Sequence, residues 1–239
     1  MQSARANDAA AESELADRYL SGRGLKGDYS VGLSYAKQAA AQGNARGEFL
    51  VGLCMLNGWA TVRDENQAVE WWQKASDQGY PDAQYFLGEH FLGKGFGSGV
   101  GDQIIYVQLF TAHHELKQSA KGRALRDSAA TGGYAPAELE SGNADITDGK
   151  FDEGIALLQS AAAQGAPGAY IALGDFFCHP RRSKSERSDD FSHRQSRGFD
   201  SYQKAAAFDL GPGEEKVGDA YREGCGVPKD SEQAAAWYR

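Results

Sequence analysis

The sequence predicts an all-α chain, a right-handed α-solenoid of about six helix-turn-helix repeats. Three observations predict it. First, a nine-place pattern is clearest at Ala83–Phe91 (AQYFLGEHF), with a small residue at place one, leucine-glycine at places five and six and an aromatic at place nine. Second, the pattern recurs at Ala11–Tyr19, Gly47–Met55, Ala169–Phe177 and Gly213–Tyr221, and an eroded copy from Ala137 keeps Gly142. Place six therefore falls at 16, 52, 88, 142, 174 and 218, at intervals of 36, 36, 54, 32 and 44. A period of this size is the signature of stacked helical repeats. Third, places one, five and nine are four apart and share one helical face. One repeat cannot bury that face alone, so stacking must supply the core.

Each repeat reads as two helices. The first carries the nine places. Its place six is usually glycine, which lets a neighbouring helix approach closely at some cost in helix propensity. A glycine-rich turn follows, Ser21-Gly22-Arg23-Gly24 in the first repeat and Gly224-Cys225-Gly226-Val227 in the last. Asp28, Asp64 and Asp230 stand where they can cap the second helix. That helix carries a small residue, two bulky ones and an alanine: Ala68, Trp71, Trp72 and Ala75, with Gly32, Tyr35, Ala36 and Ala39 or Gly154, Leu157, Leu158 and Ala161 as counterparts. The slot makes Trp71, Trp72 and Trp237 core residues. Gly43, Gly79, Gly133 and Gly165 stop the second helices.

With these residues in place a resemblance emerges. The last repeat, GDAYREGCGVPKDSEQAAAWYR from Gly218 to Arg239, resembles the Sel-1-like repeat, a relative of the tetratricopeptide repeat, and so does Gly79–Phe91. Tyr221, Gly224, Gly226, Val227, Asp230, Trp237 and Tyr238 fill the family pattern, and the resemblance runs from about Ala11 to Arg239. Residues 1–239 read as a single repeat domain, with repeats at roughly 11–43, 44–79, 80–133, 134–165, 166–209 and 210–239. Two insertions interrupt them, 93–118 and 179–198. Gly93–Gly101 reads as a flexible loop and Asp102–Gln118 as an additional helix. The polar stretch His179–Gly198 reads as a mobile loop. The fourth repeat is short, with a tight turn at Thr147-Asp148-Gly149-Lys150. The sixth reaches Tyr238-Arg239 before the alanine-glycine ending of the family, which fits a terminal helix cut short or a native chain that runs on.

The net charge is −8 and the isoelectric point about 5.2. That argues against a nucleic-acid or anionic-membrane surface and suits a basic protein partner. No apolar run approaches the ~20 residues of a membrane span. The start, Met1–Ala4, carries no secretory signal and fits either a native start or a methionine before a trimmed chain. Cys54, Cys178 and Cys225 are an odd, sparse set at unmatched repeat positions, and three free thiols are expected. His113-His114-Glu115 is the most metal-like cluster. Adjacent helical residues point about 100° apart, and no partner four residues away joins them. Asp175 and His179 are read as a solvated pair. No phosphate loop or nucleophile elbow is present. No catalytic residue, cofactor or metal is assigned.

What remains is surface. Place seven points away from the packing face and is Asp17, Leu53, Glu89, Asn143, Asp175 and Asp219 in successive repeats. Stacking would turn the four acids into a ladder. Leu50, Cys54, Phe86, His90 and Phe176 flank it at places four and eight. An apolar-aromatic centre edged with negative charge is the composition of a protein-binding groove. The expected partner-binding residues are Asp17, Leu50, Phe86, Glu89, His90, Asp175, Phe176 and Asp219. The resemblance implies a non-enzymatic, monomeric protein-binding repeat protein, read as a bacterial immunity protein that neutralises a secreted toxin with a basic surface. The alternative is a scaffold or adaptor for an envelope assembly, secretion or polysaccharide-export complex. The expected compartment is the periplasm, with the cytoplasm as alternative.

Overall fold

The computed structural model describes residues 8–93, 116–178, 188–208 and 211–239, and among them every regular element is a helix. In chain order these are α1 (Ala9–Ser21), α2 (Tyr29–Ala41), α3 (Ala45–Asn57), α4 (Glu65–Asp77), α5 (Pro81–Phe91), α6 (Leu116–Thr131), α7 (Ala135–Thr147), α8 (Phe151–Ala163), α9 (Pro167–Cys178), α10 (Ser188–Ala206), α11 (Gly211–Glu223) and α12 (Ser231–Trp237). Each odd helix packs on the even helix that follows it. The chain forms two compact units, residues 1–134 and 135–239. In the first unit α2 packs on α3 and α4 on α5, and in the second α8 packs on α9 and α10 on α11.

The turns follow from their residues. Asp28, Asp64 and Asp230 each accept backbone N–H bonds from the opening of the second helix, as at Asp28 with Ser30 (2.9 Å) and Val31 (3.1 Å). The same aspartates donate their own N–H to the carbonyl of place nine, Tyr19 (3.0 Å), Met55 (2.9 Å) and Tyr221 (2.9 Å). One turn geometry thus serves three repeats. Its second glycine, Gly24 or Gly226, has φ near +70°, and in the second repeat Ala60 takes that place with φ +55°. At the far end of the second helices, Gly43, Gly79, Gly133 and Gly165 all have positive φ, which ends the helix.

In three repeats place six, at Gly52, Gly174 and Gly218, seats a ring. A Cβ on Gly52 would overlap the indole of Trp72, and one on Gly174 would overlap the ring of Tyr202. Where the facing slot is small, as at Ala36, place six can be Ala16, and both are fully buried. Place one is small for a second reason. A Cβ on Gly47 would meet Ala39 Cβ at 2.6 Å and the Ala40 nitrogen at 2.8 Å, so this place approaches the preceding repeat. Between these seats the core fills with aromatics: Phe86 lies 5.3 Å from Phe49 and 5.1 Å from Trp72, ring centre to ring centre.

A polar clasp recurs inside the hairpins. The glutamine that ends the second helix donates its side-chain N–H to a glutamate at place two of the first: Gln42 to Glu12, Gln78 to Glu48 (2.7 Å) and Gln164 to Glu138 (2.7 Å). All three glutamates are buried, so the clasp satisfies carboxylates that burial would otherwise penalise.

Three sequence expectations change. His179–Gly198 is not a loop throughout, because residues 188–198 are the first part of α10. Phe199 is buried and Phe191 partly buried, while Ser192, His193, Ser196, Arg197 and Asp200 are exposed. Residues 179–187, like 94–115 with most of the expected Asp102–Gln118 helix, lie outside the described residues; 116–118 open α6. Trp237 is 37% exposed, because α12 packs chiefly on α11, and Trp71 is only partly buried beneath Lys74. Finally, Cys178 and Cys225 form a disulfide with their Cα atoms 5.6 Å apart, leaving Cys54 as a buried free thiol. One cysteine ends a first helix and the other sits in the turn after the next first helix. Stacking makes those two sites neighbours.

Candidate functional site

The first helices carry the candidate surface, and their place-seven carboxylates are its most regular feature. Each sits beside the place-six seat, so a tyrosine ring in that seat carries its hydroxyl to the carboxylate. Tyr202 donates to Asp175 at 2.7 Å and Tyr238 to Asp219 at 2.8 Å. Burial and then the Asp175 carboxylate push the Tyr202 phenol up, and Tyr238 is raised in the same way beside Asp219. Cations complete the arrangement. Lys216 of the next first helix reaches Asp175 at 2.7 Å, Arg46 reaches Asp17 at 2.8 Å, and Arg222 reaches Asp219 at 2.7 Å. Arg23 adds a second contact to Asp17 at 2.7 Å. The ladder is therefore present in position, but much of its charge is answered within the fold.

In the first unit these pairs extend into a polar cluster. Arg46 also reaches Glu14 at 2.7 Å. Hydrogen bonds from Arg18 and then Arg46 hold the Glu14 carboxyl below its usual range. Burial pushes the Asp82 carboxyl and the Tyr80 phenol up, with Arg46 partly offsetting both. Glu48 is raised by burial too, against the opposing pull of Lys74 and of the Gln78 clasp.

The eight residues expected to contact a partner divide by burial. Asp17, His90, Asp175, Phe176 and Asp219 are partly exposed. His90 lies 3.6 Å from Glu65, and Phe176 packs on Phe151 with ring centres 5.5 Å apart. Leu50, Phe86 and Glu89 are buried, at 5%, 1% and 3% exposure. The expected apolar centre of the groove is therefore interior at Leu50 and Phe86. Place four faces the stacked neighbour, which is why Phe86 lies between Phe49 and Trp72.

Among the described residues no cluster of histidine, cysteine, aspartate and glutamate could hold a metal ion, and His113-His114 lies outside them. The Cys54 thiol is pushed up to about 12 by burial, which makes it inert as a nucleophile. Among the described residues no helix is long and apolar enough to cross a membrane.

Comparison with known proteins completes the picture. The Sel1 repeat pattern matches residues 9–44, 45–80, 81–103, 145–165 and 204–239, well over half of the sequence. The chain belongs to the Sel1 repeat family. Sel1 repeats are in general non-catalytic interaction scaffolds, and the described chain is an all-α solenoid of that class. An uncharacterised protein of Neisseria meningitidis serogroup B is 26% identical over 212 residues, 88% of this chain. The chain spans 39% of that relative's length. Among solved structures, a protective antigen present in uropathogenic Escherichia coli strains, displaying an SLR fold, superposes with a TM-score of 0.73 at 26% identity. It covers 98% of this chain and 46% of its own. An immunity protein of Pseudomonas aeruginosa superposes with a TM-score of 0.56 at 16% identity, over 96% of this chain and 80% of its own, a likeness of fold.

The Sel1 hairpins hold residues that the sequence reading passed over. The Glu-Gln clasps could have been found, since the glutamate stands at place two and the glutamine just before the stopping glycine. Tyr202 could have been found as the counterpart of Trp72 and Tyr238. The Asp175–Lys216 and Asp17–Arg46 pairs carry no local signal, because their partners are 41 and 29 residues apart.

Proposed function

We propose that this Sel1 repeat protein is a periplasmic immunity protein that binds and neutralises a secreted antibacterial toxin. The observation that carries the reading is the architecture. All twelve helices among the described residues pair into repeat hairpins, so each unit is given over to stacked hairpins whose outer faces are the working surface. The shared fold of the Pseudomonas immunity protein supports the same reading. The Cys178–Cys225 disulfide supports an oxidising compartment, since such bonds are rare where thiols are kept reduced. The contact residues are the accessible members of the expected set: Asp17 and His90 in one unit, Asp175, Phe176 and Asp219 in the other. Their carboxylates would exchange internal cations for those of a basic toxin surface, and Phe176 would supply an aromatic anchor. The chain acts as a monomer.

Affinity capture from the native cells tests this, with the wild type and with Phe176→Ala and Asp17→Asn variants of unchanged melting temperature. A secreted toxin captured by the wild type, weakened in the variants and harmless only when this chain is co-expressed, is the expected result. Capture of envelope-assembly, secretion or polysaccharide-export proteins instead would overturn the immunity reading in favour of a scaffold.

A further inference from the structure

The second unit holds an open cavity of about 320 Å³ apart from the place-seven carboxylates, lined by α8, α9 and α10. Its floor is apolar and aromatic, formed by Tyr170, Leu173 and Phe177 of α9. Its rim is Arg197, Asp200 and Lys204 of α10, spaced by three and four residues on one helical face. The Arg197 guanidinium lies 4.2 Å from the centre of the Phe177 ring, and the Lys204 ammonium 6.0 Å from that of Tyr170. Both cations thus stand over the rings of the floor. Neither is ion-paired to a carboxylate among the described residues, in contrast to Arg46, Lys216 and Arg222. Two cations face one carboxylate on the rim, so this spot is positive on a chain of net charge −8.

We propose that this cavity docks an extended segment of a partner protein that presents an apolar side chain next to a carboxylate. The apolar side chain lies on Tyr170, Leu173 and Phe177. The carboxylate is held by Arg197, whose planar fork suits two-point binding, with Lys204 as a second charge. Asp200 accepts a backbone N–H of the segment. Asp200 also disfavours a polyanion such as phosphate, which would meet it head-on. The volume is at the lower end of the ~300–1,000 Å³ of ligand sites, room for a few residues of a chain. The inference rests on the protein-binding reading and assigns it a second surface, opposite in charge preference to the carboxylate ladder.

The test is selection of random 12-residue peptides displayed on phage against the intact chain. Synthetic copies of the enriched peptides are then titrated against wild type, Arg197→Glu, Lys204→Glu and a Lys37→Glu control, each checked for unchanged helicity and melting temperature. Enriched peptides that flank an apolar residue with aspartate or glutamate, lose at least tenfold in affinity in both α10 variants and keep it in the control support the proposal. Peptides that bind both α10 variants as well as the wild type overturn this cavity as the site and leave the protein-binding reading standing. Absence of any enrichment overturns the cavity and weighs against that broader reading too.

Discussion

Reducing the Cys178–Cys225 bond should destabilise the second unit by roughly 2–4 kcal/mol. The bond joins residues 47 apart in sequence and encloses all of α10. A chain-entropy model for a loop of that size gives about 4 kcal/mol, and residual structure in the unfolded state brings the expected value below that. Reduction leaves two thiols in place among Phe199, Tyr202 and Val217, so little packing is lost and the change isolates the cross-link. Two measurements read it. The denatured, unreduced chain should titrate a single thiol, that of Cys54, and three after reduction. Urea unfolding followed by circular dichroism should then show a reduced midpoint lower by about 1–3 M, for a denaturant slope of ~1–3 kcal/mol per molar. Three reactive thiols in protein prepared under oxidising conditions, or coincident midpoints, would refute the reasoning and remove the support it lends to an oxidising compartment.

Gly174→Ala should cost about 1–3 kcal/mol, because its Cβ overlaps the Tyr202 ring that Asp175 pins. In a Tyr202→Ala background the same change should be neutral or stabilising, as with the native Ala16 and Ala36, and a double-mutant cycle showing simple additivity would contradict the seat. Ala60→Gly should stabilise by roughly 0.5–1 kcal/mol, since it removes a left-handed alanine from a turn whose counterparts are Gly24 and Gly226; an unchanged or lower thermal midpoint would speak against strain there. The Cys54 thiol titrates near 12 in the fold against 9.0 as its ordinary value, so its contribution is fully present below pH 9 and is lost as pH rises toward 12. Between pH 8 and 10.5 the wild type should lose about 2 kcal/mol more than Cys54→Ala, and parallel pH-stability curves would rule this out.

Periodicity gave away the helices because a repeat encodes its own packing locally. The small residues at places one and six, the capping aspartates and the stopping glycines all act within one hairpin or on the next, so their spacing is visible in the chain. The groove was less legible. Helical spacing says that Phe86 and Phe176 lie on similar faces, but it does not say which neighbouring ring covers each. Phe86 is covered by Phe49 and Trp72, whereas Phe176 stays partly exposed against Phe151. The acid ladder could be read from place seven, but the cations that answer it could not.

The sequence by itself determined the fold class, the paired-helix repeat and the family, because those rest on contacts between residues at fixed short offsets. The tertiary structure alone decided four further things. They are the pairing of Cys178 with Cys225, the internal partners of Asp17 and Asp175, the burial of Leu50 and Phe86, and the cavity between α8, α9 and α10. Each joins residues whose separation in sequence is set by insertions or by stacking rather than by the helical period. Only the packed chain brings them within reach of one another.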